Sequence, residues 1–184
     1  LPLAGPRRLP CKAFDTDGRV LLCSSFSKTL APGARIGFIE PGRYREHLRA
    51  VKFMLSGATS VLPQEMLADY LASGRYERHL RRLRQRCAAQ IAQVSQQVQE
   101  AFPEGTRLSR PQGGFVLWVE LPGEVDTHSL YDLASRSGVD FVPGTMFSAS
   151  GRYRNCLRLN CGYPVTPDTE TAIYRLGELA RRLL

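Results

Sequence analysis

One stretch of this 184-residue sequence concentrates groups able to do chemistry. Ser24-Ser-Phe-Ser-Lys-Thr-Leu-Ala-Pro-Gly-Ala-Arg-Ile-Gly37 packs hydroxyls, one lysine, a Pro-Gly turn and one arginine into fourteen residues. A strand that ends in hydroxyls and a turn can aim oxygen and backbone donors at a phosphate. An arginine seven residues after the lysine, Arg35, can add a bidentate charge-assisted clamp. The lysine between them, Lys28, has different chemistry. Held near another cation and partly desolvated, an amine is favoured in its neutral form, the form that attacks an aldehyde. The plain alternative is a surface lysine on a polar turn. A second candidate lies far along the chain, in Arg154-Asn-Cys-Leu-Arg-Leu-Asn160. On a strand Cys156, Arg158 and Asn160 share one face, and Leu157 and Leu159 the other. Arg158 can then face a cleft and grip a carboxylate with its planar fork, or serve a structural ion pair.

The elements that must position these groups follow from pattern. Residues 1 to 18 are rich in Pro and Gly and read as a loop, with Asp15-Thr-Asp-Gly18 as a turn signal. Val20 to Ser25 and Arg35 to Glu40 read as short strands, so the Ser/Lys/Gly segment is the connection at their ends, where function usually sits. Helices are expected from Arg43 to about Leu55 and from near Pro63 to Leu71. A long helix over 75 to 101 places Leu80, Leu83, Cys87, Ile91, Val94, Val98 and Ala101 on one face. Arg75, Arg78, Arg82 and Arg86 form a stripe on another side, a solvated face or a patch for nucleic acid. Beyond it, strands are expected at Gly114 to Leu121, Val139 to Val142 and Cys156 to Asn160, and helices at 127 to 137 and 167 to 183. The fold class is α/β.

Composition excludes several classes. A hydrophobic content of 43% and a charged content of 23% are ordinary for a soluble globular chain. The net charge of +8 comes from 25 basic against 17 acidic residues, and only Lys12, Lys28 and Lys52 are lysines. That excess speaks to association and solubility rather than to a specific partner. Cys11, Cys23, Cys87, Cys156 and Cys161 form no CxxC pair, and His47, His79 and His128 fall at no metal-ligand spacing, so reduced structural thiols and no metal are expected. No signal peptide and no apolar run of membrane-spanning length is visible, which leaves a cytoplasmic location by elimination.

The Ser-Phe-Ser-Lys-Thr-Leu-Ala-Pro-Gly-x-Arg-x-Gly string resembles the lysine signature of fold-type I aminotransferases of the class I/II group, which depend on pyridoxal 5'-phosphate (PLP). The resemblance implies that Lys28 is the catalytic residue, forming a Schiff base with PLP and carrying a proton to and from the substrate α-carbon. It implies that Ser25 and Arg35 bind the cofactor phosphate, with Ser27 a further phosphate or hydroxyl contact. It also implies that Arg158 binds the substrate α-carboxylate. Arg110-Pro-Gln-Gly-Gly-Phe-Val-Leu-Trp118 is similar to the stretch that opens the family's small domain near the substrate. Gly113 and Gly114 allow that close approach, or simply turn the chain into a strand.

Residues 74–84, the Arg110 segment and residues 147–162 most resemble the C-terminal aminotransferase-like domain of MocR-type regulators of the GntR superfamily. In those proteins a winged-helix DNA-binding domain precedes a PLP domain that senses an amino-acid or amine ligand. The chain is accordingly expected to hold the C-terminal portion of the PLP-binding large domain in residues 1–74. Residues 75–184 would supply the connecting helix and the small C-terminal domain. The family's partners for the pyridine ring lie well upstream of its lysine, and only 27 residues precede Lys28. The expectation is a fragment whose site is incomplete alone, belonging to a homodimeric parent that meets DNA through a domain outside the chain. The C-terminal part of a metabolic aminotransferase and a non-catalytic α/β module are the rival readings.

Overall fold

A computed structural model describes residues 2, 3, 5 and 8–184. Leu1, Ala4, Pro6 and Arg7, within the stretch read as a loop, lie outside the described residues. The chain divides into two compact units, Gly5–Leu83 and Arg84–Leu184, the second also taking in Pro2 and Leu3.

In the first unit, strands β1 (Leu22–Ser25) and β2 (Gly37–Glu40) form an antiparallel hairpin in which Ser25 faces Gly37 and Ser24 faces Phe38. A Cβ on Gly37 would fall 2.6 Å from the Ser24 carbonyl oxygen, so the two strands meet more closely there than a side chain allows. Helix α1 (Arg45–Ser56) ends at Gly57, whose φ of 56° with ψ of −131° is a conformation that glycine adopts readily and a residue with a side chain does not. Helix α2 (Val61–Ala72) starts before Pro63 rather than at it. Proline is tolerated there because first-turn N–H groups have no intrahelical partner to lose.

The loop before β1 contains one 3-10 turn, Cys11–Phe14, and is organised by Asp15. Its carboxylate accepts the N–H groups of Arg19 (2.8 Å) and Val20 (3.0 Å) and pairs with Lys12 at 2.9 Å. The Lys12 hydrogen bond, ahead of the backbone donors, holds the Asp15 carboxyl down at about 2, against an ordinary 3.8. A depressed carboxylate pKa means that the turn's stabilisation is complete above 3.8 and is lost as pH falls toward about 2. Amide exchange at Arg19 and Val20 should therefore speed up across that window relative to the rest of the chain. An Asp15→Asn variant should show no such step.

The second unit carries the core. Helix α3 (Arg75–Ala101) matches the long amphipathic pattern; its residues up to Leu83 belong to the first unit, and Cys87, Ile91, Val94, Val98 and Ala101 are buried along the remainder. Arg75, Arg78, Arg82 and Arg86 are exposed. Strands β3 (Arg107–Leu108), β4 (Val116–Glu120), β5 (Val142–Pro143) and β6 (Cys156–Asn160) make an antiparallel sheet of order β3-β4-β6-β5. Its inner face sets Leu117, Val119 and Leu157 against α3, α4 (Thr127–Arg136) and α5 (Pro167–Arg181), with Val98, Leu130 and Leu176 among the fully buried side chains.

The strand expected from Val139 begins only at Val142. The N–H groups of Ser137 and Val139 both turn back to the Ala134 carbonyl and that of Gly138 to Ser135, so these residues close α4 instead of pairing. Among the described residues, the first unit buries only Ile36 and Leu80 as hydrophobic core, whereas Phe53, Met54 and Leu55 at the end of α1 are each more than 75% exposed.

Candidate functional site

The residues singled out for cofactor binding all lie on the β1–β2 hairpin. Phe26 extends the ladder by donating its N–H to the Ile36 carbonyl at 3.0 Å. Its own carbonyl then collects three donors, the N–H groups of Thr29 (3.2 Å), Leu30 (2.8 Å) and Ala31 (3.2 Å). That single acceptor rolls residues 26–31 into one tight turn carrying Ser27 and Lys28. A 3-10 turn, Pro32–Ala34, leads to Arg35, whose φ of 51° is left-handed and uncommon for a residue with a side chain. The hairpin therefore brings Ser25, Ser27, Lys28 and Arg35 onto one loop.

Ser25 Oγ accepts the Ser27 N–H at 3.1 Å and lies 3.0 Å from Ser27 Oγ. With Ser25 donating in that pair, the Ser27 hydroxyl proton has no acceptor among the described residues. Arg35 and Lys28 are exposed, and neither forms a hydrogen bond or ion pair among the described residues. The other two lysines are engaged. Lys12 donates to Asp15 and to the Val20 carbonyl, and Lys52 donates to the Gly57 carbonyl at 3.1 Å. Two hydroxyls, a guanidinium and an ammonium with no carboxylate partner make a donor set suited to an anion, and a phosphate monoester fits it. The loop also lines an apolar cavity of about 450 Å³ with Pro63, Met66, Leu67 and Tyr70 of α2; its walls hold no charged group, so it is not the anion site.

Two residues of α3 that the sequence reading passed over touch this loop. Tyr76 donates its hydroxyl to Thr29 Oγ1 at 2.9 Å, and His79 Nε2 lies 2.8 Å from the Thr29 carbonyl oxygen. The available signal was spacing: Tyr76 stands four residues before Leu80 and extends the buried stripe toward the start of the helix.

Arg158 belongs to the second unit. It sits on β6, opposite Trp118 of β4 and Val142 of β5, on the sheet face away from Leu157. Its guanidinium lies 5.0 Å from the ring centre of Phe147, and Trp118 meets both Phe147 and Tyr153 edge-on, at 5.5 and 5.6 Å. No carboxylate pairs with it among the described residues, so an aromatic face holds the side chain while its charge stays open to an anion. Gly144 supports this cluster from below: a Cβ there would fall 2.5 Å from the Tyr153 carbonyl oxygen. Gly113 bridges to Pro2, and Gly114, at φ 83°, turns the chain into β4. Cys87, Cys156 and Cys161 are buried thiols, and burial pushes Cys161 up to about 11, far from a reactive thiolate.

The chain thus carries Lys28 on a hairpin loop with two serines and Arg35, and, on the antiparallel sheet of the second unit, an arginine with no carboxylate partner among the described residues. Residues 7–173 match the family of class I and II aminotransferases, and the chain belongs to that family. It is 41% identical, over 97% of its length, to YjiR, an uncharacterized HTH-type transcriptional regulator of Escherichia coli K12, and spans 38% of that protein. Among solved structures, it resembles the kynurenine aminotransferase of Pyrococcus horikoshii in complex with PMP. The TM-score is 0.88 and the identity 32%, covering 100% of this chain and 46% of that one. It also resembles LysN, the α-aminoadipate aminotransferase of Thermus thermophilus complexed with N-(5'-phosphopyridoxyl)-L-leucine. There the TM-score is 0.78 and the identity 29%, covering 100% of this chain and 48% of that one. The chain thus spans less than half the length of these relatives.

Proposed function

We propose that this chain is part of a PLP-binding, aminotransferase-like sensor domain of a cytoplasmic, homodimeric MocR/GntR-type transcription regulator, whose DNA contacts lie in a domain outside the chain. Residues 1–74 contribute the end of its large domain, and residues 75–184 the connecting helix and small domain. The observation that carries the reading is the state of the lysines. Of Lys12, Lys28 and Lys52, only Lys28 has no protein partner among the described residues, and it shares the β1–β2 loop with Ser25, Ser27 and Arg35. The similarity to YjiR along almost the whole chain supports the regulator context.

When bound, PLP supplies an aldehyde that bonds to amines and a conjugated ring that draws electrons from the substrate's α-carbon. The chain's own residues do the rest. Ser27 would donate its free hydroxyl proton to the phosphate, Ser25 would join it by turning its own proton from Ser27 to the phosphate, and Arg35 would neutralise the charge. The Lys28 amine would anchor the cofactor through its aldehyde and would serve as the base that holds and returns the substrate's α-proton. Arg158 binds the α-carboxylate of an amino-acid ligand through its fork, with Phe147 keeping the guanidinium in place.

The match to kynurenine aminotransferase favours a second reading, a metabolic enzyme. The residues encoded ahead of this chain separate the two: a winged helix and linker for the regulator, the aminotransferase N-terminal arm for the enzyme. In the full-length protein, PLP together with an amino acid is expected to change affinity for DNA. Rapid transamination with no DNA binding would overturn the regulator reading. An Arg158→Ala change should weaken amino-acid binding about 10- to 100-fold, the range for a lost charge-assisted pair, while PLP retention stays at the wild-type level. Equal loss of both would remove Arg158 from the ligand site.

A further inference from the structure

We infer that Tyr76 and His79 are positioning residues for Lys28: from the first turns of α3 they fix the loop that carries the lysine. The inference rests on the proposed role of Lys28 as the cofactor anchor.

The loop over residues 26–31 has little to hold it by itself. Its turn closes on one carbonyl, that of Phe26, and Ser25 and Lys28, at its base and in the turn, are both exposed. A turn of that size, open to water, samples other conformations readily. What constrains it comes from far along the sequence. Thr29, the residue after Lys28, is held at both of its polar oxygens. Tyr76 donates to its hydroxyl across 47 positions, and His79 reaches its carbonyl across 50. A carbonyl only accepts, so the His79 ring must carry its proton on Nε2, whichever charge state it adopts.

The tyrosine ring is itself wedged. It meets Phe26 of the loop at 5.9 Å and Tyr70 of α2 at 6.4 Å, both edge-on. Phe26, Thr29, Tyr70, Tyr76 and His79 therefore form one packed and hydrogen-bonded cluster around the peptide that follows Lys28. The helical turns supplying the two clamps are held by packing as well: Leu80, four residues after Tyr76 and next to His79, is buried, so these turns do not depend on their own hydrogen bonds alone. Fixing the Thr29 peptide from such a support removes backbone freedom from the Lys28 amine before any ligand arrives. Pre-organisation of that kind raises the fraction of loop conformers competent to engage an aldehyde and a phosphate together.

The test separates positioning from general stability. In the full-length protein, PLP is added, the adduct is trapped with borohydride, and labelling of Lys28 is followed by peptide mapping with Lys52 as an internal reference on the same molecule. Tyr76→Phe keeps the ring in its wedge and removes only the hydroxyl. His79→Ala removes the second clamp, and His79→Gln restores an N–H donor of similar reach. The Lys28-to-Lys52 labelling ratio should fall about threefold or more in each of Tyr76→Phe and His79→Ala, and about tenfold or more in the double variant, as expected for losing ordinary hydrogen bonds. His79→Gln should return to within about twofold of wild type on the same scale. Amide exchange at Thr29, Leu30 and Ala31 should accelerate in the double variant and not in His79→Gln. An unchanged ratio in the double variant, with Lys28 labelled normally in the wild type, would overturn the positioning role alone. So would a His79→Gln protein as impaired as His79→Ala. Absence of Lys28 label in the wild type would overturn the proposed function, and the positioning role with it.

Discussion

A Lys28→Ala protein, expressed at full length and passed through gel filtration after incubation with PLP, should retain no cofactor and show none of the visible absorbance of the wild type. The effect is all-or-none because the bond in question is covalent. Neither Lys12, tied to Asp15 and the Val20 carbonyl, nor Lys52, tied to the Gly57 carbonyl on α1, can take its place. A Lys28→Arg protein should fail in the same way. A guanidinium keeps the positive charge for the phosphate but stays protonated and cannot attack an aldehyde. Ser25→Ala and Arg35→Ala should behave differently, still accepting the borohydride-fixed label while losing bound PLP more easily on dilution. Retention of cofactor by Lys28→Arg at the wild-type level would reduce Lys28 to a charge on an anion-binding loop.

Leu157→Ala should cost about 3 kcal/mol, within the range for emptying a buried leucine site, and lower the melting temperature of the second unit by roughly 15 °C. Leu157 is fully buried on β6, where it faces Val119 on one neighbour and Pro143 on the other and lies in the core with Val98 and Leu176. The surrounding strands are short and hydrogen-bonded on both sides of β6, so they cannot collapse into the space left. Since whole domains are stable by only about 5–15 kcal/mol, that loss is a large share of the total. By contrast, Arg175→Ala removes an exposed i,i+3 pair with Glu178 and should change stability by no more than about 0.5 kcal/mol. Thermal unfolding followed by circular dichroism compares the two. A Leu157→Ala loss under about 1 kcal/mol would mean that the core is not packed around that residue.

Where the sequence pattern was long or strictly alternating, the fold could be read directly. Helix α3 runs over Arg75–Ala101 and strand β6 over Cys156–Asn160, as the apolar spacing of each predicts. An amphipathic stripe seven residues deep and a strand with leucines on one face leave few alternatives. The pattern failed where local hydrogen bonding outweighed it. Val139 and Phe141 look like strand residues, yet Gly138, at φ 75°, and the Ala134 carbonyl draw the chain into a helix cap first. Strand β3 is only Arg107–Leu108, and two residues carry no periodicity to detect.

The candidate site divides along the same line. Ser25, Ser27, Lys28 and Arg35 are neighbours in sequence, so one motif delivers all four, and the hairpin gathers them. The residues around Arg158 are different. Trp118 and Phe147 come from β4 and from the turn after β5, and nothing in their local sequence marks them as meeting on one arginine. Tyr76 and His79 were hidden for a related reason. They sit in the arginine-rich first turns of α3, which read as solvated, and only the packing of these turns on the Thr29 loop gives them partners.

The position of the covalent label tests the central claim most directly. The full-length protein is incubated with PLP, reduced with borohydride, digested and mapped by mass spectrometry across Lys12, Lys28 and Lys52. The proposed function predicts a phosphopyridoxyl group on Lys28 at near-stoichiometric yield, with Lys12 and Lys52 at background. Label spread evenly over the three lysines, or none on Lys28, would contradict it.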